Sequence, residues 1–191
     1  MRVIGGTARG RQLKRPGANV RPTSDLVRGA IFDVLAAHEI DDASVLDLYA
    51  GSGALGIEAL SRGAGRCDFV EHDAKNMMLI RENLMLTGLQ ERARTHTMTA
   101  AQAAARLTGP YSLVLADPPY DDEAALGEMA LAATSRLVGK DTTVVLEHSS
   151  RREPPALGKL RLAWTRRYGD TQVSIYHPKD ATMSAPPGPG K

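Results

Sequence analysis

A single cysteine, Cys67, in 191 residues excludes an internal disulfide and any multi-cysteine zinc site. In "RCDFVEHD" it reads as a small packed residue. Aromatics are equally scarce. Two phenylalanines and one tryptophan leave little stacking surface, so a partner with bases would be held by shape and phosphate contacts. No stretch approaches the roughly 20 apolar residues of a membrane span. The first residues carry no apolar core of a secretory signal, so a cytoplasmic protein is expected. The five histidines (His38, His72, His96, His148 and His177) have no metal-ligand spacing, and no Tyr-x-x-x-Lys pair is present.

The chain does contain enough apolar residues, 42%, to build one proper core. Its formal charge of +2 hides an asymmetry. Residues 1–28 hold Arg2, Arg9, Arg11, Lys14, Arg15, Arg21 and Arg28 against one acid, Asp25, so the remainder is net acidic. A second basic cluster, Arg151, Arg152, Lys159, Arg161, Arg166 and Arg167, lies near the C-terminus. Basic stretches on a near-neutral body suggest a polyanionic partner, although a merely solvated face would look the same.

Helical and extended patterns alternate along the chain. Residues 1–22, rich in glycine and basic residues, predict a hairpin or a flexible arm. "SDLVRGAIFDVLAAH" has helical spacing with Ser24 as N-cap. Short apolar strands are predicted at "SVLDLYA", "RCDFVEHD", "ARTHTMT", "YSLVLADPPY" and "TTVVLEHS". Helices follow at "IEALSRG", "AKNMMLIRENLMLTG", "AAQAAARL" and "DEAALGEMALAATSRLV". "LRLAWTRRYGDTQVSIYHP" predicts a closing hairpin. Such alternation, with strands apolar on both faces, gives an α/β fold with a mostly parallel sheet, an antiparallel edge hairpin and helices on both faces. The tail "SAPPGPGK" has no core-forming residues and should be disordered.

"DLYAGSGALGIEAL" places Gly51, Gly53 and Gly56 between a strand and a helix, with Glu71 twenty residues after Gly51. Glycines let backbone approach a ligand, the helix start offers free N–H groups, and an acid ending the second strand can accept ribose hydroxyls. Nicotinamide and S-adenosylmethionine enzymes both use such a loop. Asp47 favours the second, because a carboxylate near the loop helps an ammonium and a sulfonium but not a pyrophosphate. It could equally be a cap on the turn.

"ADPPY" ends the fourth strand. The prolines fix φ, and they leave acceptors free of a competing ladder. Asp117 can accept one N–H of an exocyclic amine and the Pro118 carbonyl the other, which frees the nitrogen lone pair to attack a methyl group. Tyr120, beyond Pro119, can stack on the base.

On "RVIGGTARGRQL", "RPTSDLVRGAIFDVL", "VLDLYAGSGALGIEALSRGA", "FVEHD", "ADPPY" and "YGDTQVSIY", the sequence resembles the RsmD family of bacterial ribosomal RNA guanine-N2 methyltransferases. The resemblance implies a class I S-adenosylmethionine-dependent, Rossmann-like domain over residues 23–179, a basic extension over 1–22 and a tail over 180–191. It implies methylation of the N2 amine of one guanine, numbered 966 by convention, in 16S rRNA of the small ribosomal subunit, by a monomer. The family's cofactor site maps onto Asp47, Tyr49, Ala50, Gly51, Ser52, Gly53, Gly56, Glu71, His72 and Thr99, with Thr23 at the mouth. Its catalytic motif maps onto Asp117, Pro118, Pro119 and Tyr120. RNA contacts are expected at Arg9, Arg11, Lys14, Arg15, Arg21 and Arg28. In place of the Asp or Asn that often reads adenine there is Thr99. An N6-adenine methyltransferase, a nicotinamide oxidoreductase and a non-catalytic assembly factor remain alternatives.

Overall fold

A computed structural model describes residues 1–17, 24–35, 40–119 and 122–181. Their strands form one seven-stranded sheet in the order β3-β2-β1-β4-β5-β7-β6. The central strands β1 (Ser44–Leu48), β2 (Arg66–Glu71) and β4 (Tyr111–Ala116) are parallel, as are β3 (Ala93–Thr97) and β5 (Val138–Ser149) beside them. β6 (Leu160–Tyr168) and β7 (Thr171–Pro178) close one edge as an antiparallel hairpin. Short apolar runs with no polar face require cover on both sides. Leu113, Leu115 and Val145 pack under α1 (Asp25–Val34), α2 (Ala54–Ser61) and α3 (Ala74–Thr87). Leu46, Leu48 and Val114 pack under α4 (Ala100–Arg106) and α5 (Glu123–Thr134). Each such fully buried aliphatic side chain contributes about 1.5–3 kcal/mol.

Local signals set most boundaries. The Ser24 side chain accepts from Val27 N and starts α1, and Gly88 closes α3 at φ 72°. Three boundaries differ from the expectation. α1 is described only to Val34, and His38 lies outside the described residues. α5 stops at Thr134, where the Ser135 hydroxyl turns back to Ala132 O at 2.8 Å. β5 starts at Val138 instead of Thr142, because Val138 still pairs with Tyr111 of β4 ahead of an irregularity between Tyr111 and Leu113. The "SAPPGPGK" tail lies outside the described residues.

Residues 1–13 form a small hairpin, with a bridge between Arg2 and Gln12 and with Val3 N donating to Arg11 O at 3.0 Å. It is pinned to α2. Glu58 accepts from Ile4 N and Gly5 N, both at 2.8 Å, and Ser61 Oγ accepts from Ala8 N at 2.9 Å. The Glu58 charge is buried, but Arg62 Nε lies 2.8 Å away and Arg28 Nε 3.6 Å away. Val3, Ala8 and Leu13 join the core, so this segment belongs to the folded body.

Candidate active site

Loops leave the carboxyl ends of β1, β2 and β4 side by side. The chain after β1 turns to α2 on one face, and the chain after β4 turns to α5 on the other. A crevice therefore opens between them, where open α/β sheets take ligands.

The loop after β1 is unusually bent. Tyr49, Gly51 and Gly53 have φ of 58°, 55° and 78°. Glycine adopts such angles at little cost, whereas a tyrosine there costs about 1–3 kcal/mol. Tyr49 is held by its hydroxyl, which donates to Ala125 O at 2.9 Å and lies 3.2 Å from Glu128 Oε2. Burial, and then the neighbouring Glu128, push this phenol well above its ordinary pKa, so it stays a donor.

Glu71 ties the loops together from the end of β2. Its Oε2 accepts from Gly51 N at 2.9 Å, and its Oε1 accepts from Asp73 N at 2.8 Å and lies 3.2 Å from His72 Nδ1. Each carboxylate oxygen has further acceptor capacity for a hydroxyl. Beside it lies a cleft of about 180 Å³ lined by Tyr49, Glu71, His72, Met98, Thr99 and Pro119, with Asp122 and Glu128 on its α5 side. That volume is below the roughly 300–1,000 Å³ of a whole ligand site, so it suits one end of an elongated group. For the expected S-adenosylmethionine the donor set fits. Glu71 can take ribose hydroxyls, the acidic wall suits a cation, and the glycine backbone lets the remaining part pass close.

Two of the expected cofactor contacts serve the scaffold instead. Asp47 is 1% exposed and lies beneath the loop, where its Oδ2 accepts from Gly56 N at 2.9 Å. It is the cap left open by the sequence, and it has no surface facing the cleft. Burial pushes its pKa up to about 7, against the lowering by Gly56 N–H, with repulsion from Glu71 adding to the rise. At Gly56 a Cβ would sit 2.4 Å from Phe69 Cε1, so this glycine allows α2 to lie against β2 and touches no ligand space. Thr99 lines the cleft, but its hydroxyl also N-caps α4 in a capping box with Gln102. Ala50 and Ser52 are buried in the loop.

On the other wall, β4 delivers Asp117, partly exposed, then Pro118, buried, and Pro119, exposed at the cleft. Tyr120 lies outside the described residues, as do Thr23 and Arg21.

The expected RNA contacts divide. Arg28 is a correction: it is fully buried, with Nη2 donating to Arg2 O at 2.5 Å and to Asp25 Oδ1 at 2.9 Å, so it balances Glu58 and cannot reach a polyanion. Arg11 donates to Leu86 O, and Lys14 pairs with Glu82 at 3.0 Å. Arg9 and Arg15 are exposed.

Sequence reasoning missed Asn83, whose Nδ2 donates to Ser52 O at 2.9 Å and to Lys14 O at 3.1 Å, binding the glycine loop to the N-terminal segment. A polar residue on the apolar face of α3 was its only signal. Glu128 was also missed, because its contact with Tyr49 spans 79 positions and leaves no local pattern. Among the described residues no cluster of His, Cys, Asp and Glu suits a metal ion.

The family described as "Conserved hypothetical protein 95" matches residues 1–177. YlbH of Bacillus subtilis is 37% identical over 181 residues, covering 92% of this chain and 98% of its own. Ribosomal RNA small subunit methyltransferase D of Escherichia coli is 41% identical over 121 residues, covering 63% of this chain and 60% of its own. The solved structure of yhhF from Escherichia coli superposes with a TM-score of 0.82 at 31% identity, covering 94% of this chain and 98% of that one.

Proposed function

Since the chain belongs to this family, the RsmD methyltransferases, we propose that it methylates the N2 amine of one guanine of 16S rRNA, the nucleotide numbered 966, within the small ribosomal subunit or an assembly intermediate. The fold is that of class I methyltransferases, and the cofactor is S-adenosylmethionine rather than a nicotinamide dinucleotide. The rRNA substrate is argued from the relative named for small-subunit rRNA methylation. One observation carries the chemistry: Asp117-Pro118-Pro119 leaves β4 at the same sheet edge, next to the glycine loop that follows β1.

When bound, S-adenosylmethionine supplies a methyl group made electrophilic by its sulfonium. Glu71 holds ribose hydroxyls, and the bent backbone at 49–53 lets the amino-acid end lie close. Asp117 accepts one N–H of the guanine amine and the Pro118 carbonyl accepts the other. Held in this way, the nitrogen has its lone pair turned out of the ring and toward the methyl group. The amine proton, acidified as the methyl group leaves the sulfonium sulfur for the nitrogen, would pass to Asp117 or water. Tyr120 stacks on the base.

Labelled S-adenosylmethionine offered with unmodified small subunits, naked 16S rRNA and duplex DNA tests this. N2-methylguanosine on the subunit is expected, and Asp117→Ala should lower kcat by about a hundred- to a thousandfold, the scale of removing one positioned polar group. N6-methyladenosine would overturn the substrate. No transfer to any acceptor would favour an assembly factor.

A further inference from the structure

The basic residues near the C-terminus have no place in the site so far. β5 and β6 both run in the direction of β4, since each is antiparallel to β7. Their carboxyl ends therefore reach the edge that carries Asp117. Across that edge Ala116 is level with Leu146, Leu146 with Ser174 and Ser174 with Thr165. One step further the row continues from Asp117 through Glu147 and Val173 to Arg166. Three strand spacings make that distance about 14 Å.

Arginines cluster there, Arg151 and Arg152 in the turn after β5 and Arg166 and Arg167 at the end of β6. Residues 150–152 follow β5, and residues 169–170 join β6 to β7. They are stitched together, with Ser150 N donating to Asp170 O at 2.9 Å and Ser150 Oγ to Gly169 O at 2.9 Å. Arg151, Arg152, Arg166 and Arg167 are all exposed. Arg167 Nε donates to Gly169 O at 2.8 Å, and Arg166 lies over the Tyr168 ring at 5.6 Å, which hold both side chains at the rim. Arg152 Nη1 comes within 4.0 Å of Glu123 Oε1, at the start of α5, and so stands beside the loop that carries Asp117 to Pro119. Glu153 just after the first turn, Asp170 in the second and Glu123 against Arg152 still leave the rim net positive. Glu71 lies across the cleft and Asp122 and Glu128 line it on the α5 side, so the cleft itself repels phosphate, which is left to the arginines outside it.

The N-terminal hairpin meets the site only at its two ends, where Met1 Sδ lies 3.9 Å from Ser52 Oγ and Asn83 joins Lys14 O to Ser52 O. Its turn is bonded to the far end of α2 at Ser61, about 12 Å back from the glycine loop, at the opposite edge of the sheet. Arg9 and Arg11 belong to that opposite edge.

We propose that Arg151, Arg152, Arg166 and Arg167 form the phosphate-binding rim that seats the RNA strand flanking the target base in the Asp117 crevice. This rests on the RNA-methylation reading above. The test compares wild type, a variant with all four arginines changed to alanine, the same four changed to lysine, and Arg9→Ala/Arg11→Ala. Affinity for a short single-stranded RNA is measured against salt, with turnover on unmodified small subunits and S-adenosylmethionine affinity as the folding control.

The alanine variant should bind RNA at least about tenfold more weakly, and its log–log salt slope should flatten by about 0.7 per lost contact. KM should rise with kcat and cofactor affinity unchanged. Lysine should restore most of the binding, and the Arg9/Arg11 variant should stay near wild type. Unchanged KM in the alanine variant of an active enzyme would overturn the rim and leave the methylation reading standing. So would a loss confined to the Arg9/Arg11 variant, or rim-dependent binding to phosphatidylserine vesicles but not to RNA. RNA binding lost in the rim variant of a protein that methylates nothing would support the rim and overturn the reading.

Discussion

Charges inside the α1–α2–hairpin body and charges along the carboxyl edge of the sheet have opposite fates. In the body, Arg28 and Glu58 are fully buried, and Asp47 is nearly so. Glu58 and Asp47 accept backbone N–H bonds, and Arg28 Nη2 donates to Arg2 O and Asp25. Arg28 Nε and Nη1 have no hydrogen-bond partner among the described residues, and Nε faces Glu58 as an ion pair at 3.6 Å. Along the edge, Glu71 keeps acceptor capacity toward a cleft, and the arginines at 151, 152, 166 and 167 point to solvent. A buried charge is tied up in structure because desolvating it without partners is too costly. A charge left at the rim of a crevice is available to a ligand. The edge is itself divided, with carboxylates toward β2 and α5 facing a cationic cofactor and guanidiniums toward β5 and β6 facing a polyanion.

The largest effect that would sharpen this contrast is expected in the body. Glu58→Ala removes the acceptor of Ile4 N and Gly5 N and leaves the buried Arg28 with only the half-exposed Asp25 as counter-charge among the described residues. Breaking a buried pair costs about 3–5 kcal/mol, to be read by denaturant unfolding. The four rim arginines, changed together to alanine, should each alter stability by no more than about 0.5 kcal/mol.

Asp47 is expected to have the next largest effect, and a pH-dependent one. Its folded pKa of about 7 stands above the ordinary 3.8, so the folded state holds the proton more tightly than the unfolded chain does. The resulting stabilisation is fully present below about pH 4 and is lost as pH rises through 7. Asp47→Asn can still accept from Gly56 N without the charge. Its stability relative to wild type should therefore climb from pH 4 to 7, by on the order of a few kcal/mol, and then level off. A flat difference across that range would mean that the carboxylate is not desolvated.

The sequence made the sheet legible because each central strand is a short apolar run bounded by a turn, and Gly51, Gly53, Glu71 and "ADPPY" mark where three of those strands end. It could not separate buried from exposed charge. Arg28 and Arg15 look alike in a basic segment, and only the helical face of α1 against Glu58 distinguishes them. Asp47 looked like a ligand because its position in the motif is above the loop in sequence, whereas the parallel strand turns it beneath. Asn83 and Glu128 act across long separations, 31 and 79 positions, for which no periodicity exists.

The division of the edge is tested most directly by two affinities measured on two variants. S-adenosylmethionine binding by calorimetry and RNA binding by anisotropy are compared for Glu71→Ala and for the four-arginine rim variant. Losing hydrogen bonds to one charged group costs about 1.5–3 kcal/mol, so Glu71→Ala should weaken cofactor binding about 10- to 100-fold and leave RNA binding unchanged. The rim variant should do the reverse. If either folded variant lost both affinities together, or if Glu71→Ala bound the cofactor as wild type does, the two walls of the crevice would not have the separate roles assigned to them.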